Sequence, residues 1–353
     1  MFRINTAPFL LIHLFWVAVE SLSGMKQSSE FTQRVVACLK ALASGDAIGK
    51  QTEMLSYAEV QHWYPEGISG FYCHPGDVIP RYRGNRKHEW RIGETTDDTE
   101  QTLAVARTLL SAQEVSHTAI GRELLKCRKS LHPGVKSLWT FHRCDDPSRT
   151  ASDGDGCGAA MRVAPVGVLY SPNRLEDLVR AAHESSIPTH GGQLAICAAA
   201  AVAGAVSAAL EGWPAADVLK LAIQAAQKAE AFSPPLKGDA TSTIAAAIWK
   251  MHDDLSAHDT LRANELAEKY FPDKPETKVP LAINLALLTG SSQRTILLAA
   301  NVGGDSDSVA SIGAAIAGAL RPDTVNDAWF DVVQVINHHD LVEVAEALAT
   351  LRC

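Results

Sequence analysis

The chain has 353 residues, 46% of them hydrophobic and 20% charged, the balance of a soluble globular protein and not of a disordered one. Its formal net charge is −8, no run of Lys or Arg exceeds two, and aromatic residues make up 6%. That excludes a protein that works by neutralising a phosphate backbone or by stacking successive bases. The length allows one large domain or two ordinary ones at roughly 100–200 residues each.

At the N-terminus Arg3 precedes an apolar run from Ala7 to Val19, and small residues Ser21, Ser23 and Gly24 follow. This reads as a secretory signal peptide and is too short for a membrane span. In a second reading translation starts at Met25, before the polar KQSSE, and residues 1–24 are an upstream extension. Either way residues 1–24 stand outside the fold, and 25–353 form the functional domain. The seven cysteines, Cys38, Cys73, Cys127, Cys144, Cys157, Cys197 and Cys353, contain no CxxC pair, against a zinc ribbon or a thioredoxin-type site. They fit reduced thiols in a cytoplasmic protein; a true signal peptide implies a secreted or periplasmic one.

Apolar residues Val35, Val36, Leu39, Leu42 and Ile48 recur at helical spacing across 31–54. Residues 62–95, rich in Pro, Gly, His and Arg, form a long loop, of the kind that is usually functional. A helix is expected over 99–112 and a second loop over 143–160. The uncharged stretch 194–210 is mostly alanine, less hydrophobic than a membrane span, and reads as the central helix of a large bundle. Further helices are expected near 214–231, 241–256, 280–289, 293–300, 306–320 and 340–351. No convincing strand pattern or fixed repeat occurs. The fold class is therefore all-α, a single large helical domain.

Two short segments concentrate oxygen ligands ahead of a helix: Glu94-Thr95-Thr96-Asp97-Asp98-Thr99-Glu100 and Gly303-Gly304-Asp305-Ser306-Asp307-Ser308. Capping and dipole compensation explain one carboxylate at each. A second adjacent carboxylate adds repulsion that a bound divalent cation removes. If the helix starts converge, Thr96, Asp97, Asp98, Asp305, Asp307 and Ser308 face one cavity. Oxygen-only ligation points to Mg²⁺ or Mn²⁺, and four carboxylates carry enough charge for two ions per chain. An EF-hand is disfavoured, because the twelfth position from Asp305 is Ile316 and not Glu.

Five motifs occur in order: GDAIGKQTE at 45–53, TTDDTEQ at 95–101, GCGAAMRVAPVG at 156–167, THGG at 189–192 and NVGGDSDSVASIGAAIAGAL at 301–320. Together they resemble the ADP-ribosylglycohydrolase superfamily, which includes the dinitrogenase-reductase-activating glycohydrolases and the ADP-ribosyl-acceptor hydrolases. The resemblance runs from about Phe31 to Ala349. It implies orthogonally packed helices around a cleft with a binuclear Mg²⁺ or Mn²⁺ centre. The ligands implied are Thr96, Asp97 and Asp98 from the first acidic motif and Asp305, Asp307 and Ser308 from the second, with Ser308 where Thr is commoner. Asp307 is counted among the catalytic residues as well.

A Glu eight residues after the first Gly of the GD motif implies an acid/base or gating role for Glu53, with Asp46 assisting at the substrate. His190 corresponds to a His that lines the ADP-ribose cleft. The loop Ser152–Gly158 resembles a phosphate and ribose loop, which makes Gly156, Cys157 and Gly158 substrate contacts. Cys157 departs from the commoner Asn. Asp153 and Asp155 place negative charge where a diphosphate is expected, and either is a candidate general base. Tyr72, Trp90 and Phe141 are candidate stacking aromatics. The function implied is metal-dependent hydrolysis of the ribosyl C1 N- or O-glycosidic bond of an ADP-ribosylated protein or small compound. The alternatives are an N-ribosyl hydrolase of a small nucleoside-like compound and a non-catalytic crystallin-like relative.

Overall fold

The computed structural model describes residues 29–79, 90–112, 115–131, 136–236 and 242–352. Residues 1–24, read above as a leader or an upstream extension, lie outside the described residues. Among the described residues the only β pairing is an isolated antiparallel bridge between Val78 and Arg91, and the rest is helix and irregular chain, as the all-α expectation requires. All six cysteines within the described residues are unbridged.

The alanine-rich stretch forms the helix Gln193–Leu210, with a mean hydropathy of 1.9 and 94% of its residues buried. It is the core helix of the bundle. Its small side chains let neighbours approach closely. Gly204 meets the Ala225 side chain of the following helix, Ala215–Glu230, and Gly167 of the helix Ala164–Leu169 lies against the Ala203 carbonyl. The helices Gly158–Met161, Leu175–Ser186, Ile244–Leu255, Pro275–Thr289 and Ser306–Leu320 also pack on it.

A second close contact positions the acidic motifs. The helix over 29–49 lies on Ser306–Leu320. A Cβ at Gly45 would stand 2.5 Å from the Ala310 carbonyl oxygen, and one at Gly49 would stand 2.6 Å from the Asp307 Cα. At the far end Gly318 meets the Ala37 backbone. Glycine's missing side chain is therefore what lets the two backbones touch.

The predicted helix over 31–54 ends sooner. It gives way to the 3₁₀ turn Lys50–Thr52, and Met54 takes a left-handed φ of 61°. A tertiary pairing stops the helix: the Met54 N–H donates to Gly304 O at 2.7 Å, and the Gly304 N–H donates to Leu55 O at 2.8 Å. The helix expected from 280 starts earlier, as Pro275–Thr289, and holds Pro280 in its interior. Eight helices among the described residues were not expected: Tyr57–Trp63, His117–Leu124, Lys136–Cys144, Gly158–Met161, Ala164–Leu169, Leu175–Ser186, Ala263–Tyr270 and Asp327–Asn337. Two of them bury very little, Leu266 in Ala263–Tyr270 and Phe330 and Val333 in Asp327–Asn337, so their apolar stripes are too short to stand out.

Gly49→Ala is expected to destabilise the protein by about 2 kcal/mol or more, since the added methyl meets backbone and not a movable side chain. Chemical denaturation of the purified variant checks it; an unchanged midpoint contradicts the close contact.

Candidate active site

Asp46 sits near the end of the helix over 29–49, fully buried. Both of its carboxylate oxygens accept the Thr96 N–H at 3.0 Å, and Oδ2 also accepts the Thr99 N–H at 3.1 Å and the Thr99 hydroxyl at 2.5 Å. A carboxylate from one helix thus caps the unpaired N–H groups and positive dipole end of another, Asp97–Ala112. Burial pushes its pKa up, against those bonds. This corrects the sequence expectation of a substrate contact: Asp46 has no surface to offer a ligand and instead fixes the first acidic motif.

The second motif is fixed by the same segment. Thr52 Oγ1 lies 3.1 Å from Ser306 Oγ and donates to Ala300 O at 2.6 Å, and Ser306 Oγ donates to Gly49 O at 2.8 Å. The two helix starts do converge: Ser311 Oγ of the second helix donates to Asp98 Oδ2 of the first at 2.6 Å. Thr96 Oγ1 accepts the Asp98 N–H at 3.2 Å, and Gln101 Nε2 donates to Asp97 Oδ2 at 3.1 Å.

Convergence creates electrostatic stress. Burial drives the pKa of Asp98 well above the ordinary carboxylate range, and the charges of Asp46 and Asp97 push it further. Asp307, also buried, is raised by burial and then by Glu53; its Oδ1 is buried with no hydrogen-bond partner. Asp305 behaves differently. Burial raises it, but Lys278 Nζ at 2.5 Å and Cys157 Sγ at 3.1 Å, both on Oδ2, bring it below its ordinary value. Cys157 Sγ also lies 3.5 Å from Ser308 Oγ, which brings the glycine loop to the acidic site. Among the described residues no three His, Cys, Asp or Glu side chains are grouped closely enough to hold a metal ion by themselves. An orphaned buried carboxylate oxygen and mutually repelling acids, with hydroxyls beside them, nevertheless fit a hard divalent cation.

Glu53 ends the 3₁₀ turn, ion-paired to Lys50, with its side chain 25% exposed. It opens onto a cavity of about 510 Å³ shared with Met54, Phe271, Pro272, Lys278 and Asp305. Glu53 and Asp305 thus face the same cavity.

The glycine loop departs from expectation at two residues. Asp155 Oδ1 accepts the Leu194 N–H at 2.9 Å, so the carboxylate caps the central helix, and its oxygen fills the space a Gly192 side chain would need. The sequence reading of Asp155 as a proton carrier did not anticipate this bond to a helix N-terminus. His190 is buried, with Nδ1 2.8 Å from Thr189 Oγ1. A Cβ at Gly158 would stand 2.6 Å from its Cε1. Burial, then Arg162, lower its pKa to about 3, so it is a neutral prop beneath Gly156 and Gly158 and not a cleft-lining group. Asp153 is exposed, and its carbonyl accepts the Gly191 N–H at 2.9 Å. Of the three aromatic candidates, Phe141 is a core residue, and Trp90 is buried with Lys50 and Lys129 at 4.8 and 5.0 Å from its ring centre. Tyr72 alone is exposed, edge-on to Tyr64.

The model of the ADP-ribosylglycohydrolase family matches residues 27–353. The chain belongs to the ADP-ribosylglycohydrolase family. It is thereby a glycosidase, one of a family of hydrolases. Among its relatives, the protein YegU of Escherichia coli (strain K12) is 29% identical over 91% of this chain and 98% of its own length. The ADP-ribosylhydrolase ARH3 of Mus musculus is 24% identical over 66% of this chain and 71% of its own length. The solved structure of an ADP-ribosylglycohydrolase-related protein complex shares the fold, with a TM-score of 0.61 at 22% identity over 92% of this chain and all of that one.

One residue of this glycohydrolase was assigned no role by its motif. Arg162 is fully buried. It donates to Gln101 Oε1 at 2.9 Å, Ser185 O at 2.9 Å, Ser186 O at 3.3 Å and Thr189 Oγ1 at 2.8 Å. Through Gln101 it reaches Asp97, and through Thr189 it reaches His190 and the glycine loop. The available signal was a lone charge inside the apolar run AAMRVAPVGVL, since a buried charge persists only where it is hydrogen-bonded; here both terminal nitrogens are bonded and Nε is not. Arg162→Met is expected to cost about 3 kcal/mol or more, read by chemical denaturation. A loss below about 0.5 kcal/mol would show that the network carries no weight.

Proposed function

We propose that the chain hydrolyses the ribosyl C1 N- or O-glycosidic bond of an ADP-ribosylated protein or small ADP-ribosyl compound, releasing ADP-ribose, with two Mg²⁺ or Mn²⁺ ions per chain. The observation that carries the reading is Asp307 Oδ1, buried without a partner beside carboxylates that raise one another's pKa. A buried acidic set of this kind is stable in its charged form only around a cation. Thr96, Asp97, Asp98, Asp305, Asp307 and Ser308 would hold the ions. When bound, such ions supply Lewis-acid activation of water and anchorage for ribose hydroxyls.

The protein's own groups do the rest. Glu53, held in place by its ion pair with Lys50, takes the proton of the attacking water on its carboxylate and returns it to the departing nitrogen or oxygen as the C1 bond breaks. The loop over 156–158 sits beside Asp305 through Cys157, and its backbone N–H groups are the proposed diphosphate contacts. The Leu194 N–H and the helix start behind it hold Asp155 in place, and the family, not the charge of this loop, supports an ADP-ribosyl substrate.

Arginine- and serine-linked ADP-ribosyl substrates, assayed with each metal and with chelator, test the proposal. Asp307→Asn is expected to lower kcat by about 1000-fold or more and Glu53→Gln by about 100-fold. Wild-type turnover that survives complete chelation contradicts it.

A further inference from the structure

The acidic set has two halves that are not equivalent. Asp307 presents a buried oxygen with no partner, whereas Asp305 already has both a lysine ammonium and a thiol on its Oδ2. Lys278 belongs to the first turn of the helix Pro275–Thr289, where the positive end of the helix dipole disfavours a cation. Its placement is therefore set from outside its own helix. The turn before that helix is bound to the acidic motif, since the Asp305 N–H donates to Pro272 O at 3.0 Å. Gly304 leaves room for that approach, because a Cβ there would lie 2.9 Å from Pro272 O. The site's other ammonium, Lys50, is bound to Glu53 and not to Asp307. Lys278 also lines the 510 Å³ cavity beside Asp273 and Glu53, so its flexible four-carbon stem has open space and alternative carboxylates to turn to.

We propose that Lys278 is an internal cation that occupies the Asp305 half of the site, so that the two metal positions are unequal and the one built on Asp305 fills only as the ammonium is displaced. This rests on the metal-dependent reading above and adds to it a residue that sets metal affinity. Among the described residues no ammonium is bonded to the carboxylates of the position built on Asp98 and Asp307, Lys50 acting on Asp307 only through space, and that position binds first. The position that needs Asp305 binds second and more weakly, because a unit charge must move several ångströms through a poorly screened interior. Lys278 thereby couples occupancy of the second position to the cavity into which its ammonium withdraws.

Titration of metal-free full-length protein with Mn²⁺, followed by calorimetry and by the electron paramagnetic resonance of free Mn²⁺, tests this without any turnover assay. The wild type is expected to bind two ions in separable steps. Lys278→Met is expected to tighten the weaker step by about tenfold or more and leave the tighter one within about twofold. Lys278→Arg keeps a cation and is expected to keep the two steps apart. Circular dichroism establishes that each variant is folded, and Lys278→Gln replaces the Met variant if that one is not. Two ions bound with the weaker step unchanged or weakened in the neutral variants overturns the role of Lys278 and leaves the metal-dependent reading standing. Failure of the wild type to bind Mn²⁺ at all overturns both.

Discussion

The site depends on one contact, the backbone of the helix over 29–49 lying directly on the start of Ser306–Leu320 at Gly45 and Gly49. From that fixed point Asp46 reaches sideways and gathers the unpaired N–H groups of Thr96 and Thr99. One helix therefore holds the starts of two others, and the acidic motifs, some 200 residues apart in the chain, meet. Glu53 follows within one turn of the same segment, and the pairing of Met54 and Leu55 with Gly304 turns the chain so that Glu53 opens onto the cavity.

Bringing four carboxylates into a buried space is unfavourable, and the protein answers in three different ways. Asp46 is satisfied by backbone and hydroxyl donors. Asp305 is satisfied by Lys278 and Cys157. Asp98 and Asp307 retain the conflict, since their charged forms are opposed by burial and by one another. The distribution of donors separates carboxylates that hold the architecture from Asp98 and Asp307, to which no ammonium of the described residues is bonded. Around them Arg162 ties Gln101, beside Asp97, to Thr189 and His190, so the glycine loop and the acidic motif are parts of one hydrogen-bonded frame.

Much of this was legible in sequence where the signal is local. The helix over 306–320 was recognised at its observed bounds, because an uninterrupted small-residue stretch follows an acidic start. The core helix was separable from a membrane span by its alanine content. The roles of Asp155 and His190 were not legible. A carboxylate in a Gly/Asp loop gives no indication that its oxygen accepts an N–H from a residue 39 positions on, and a His before two glycines does not reveal that its ring lies under Gly158. Lys278 was invisible for the same reason: it is an ordinary lysine in a polar turn until Asp305 is placed beside it. Short helices such as Ala263–Tyr270 bury a single large residue and leave no periodic trace.

If the two distant helix starts form one cation site, a single ion must touch both motifs. A crystal structure of the Mn²⁺-soaked protein, with data collected at a wavelength where manganese scatters anomalously, tests it most directly. The account predicts a strong anomalous peak bounded by both Asp98 and Asp307. A peak touching only one of the two motifs, or manganese bound elsewhere with these carboxylates left bare, would contradict it.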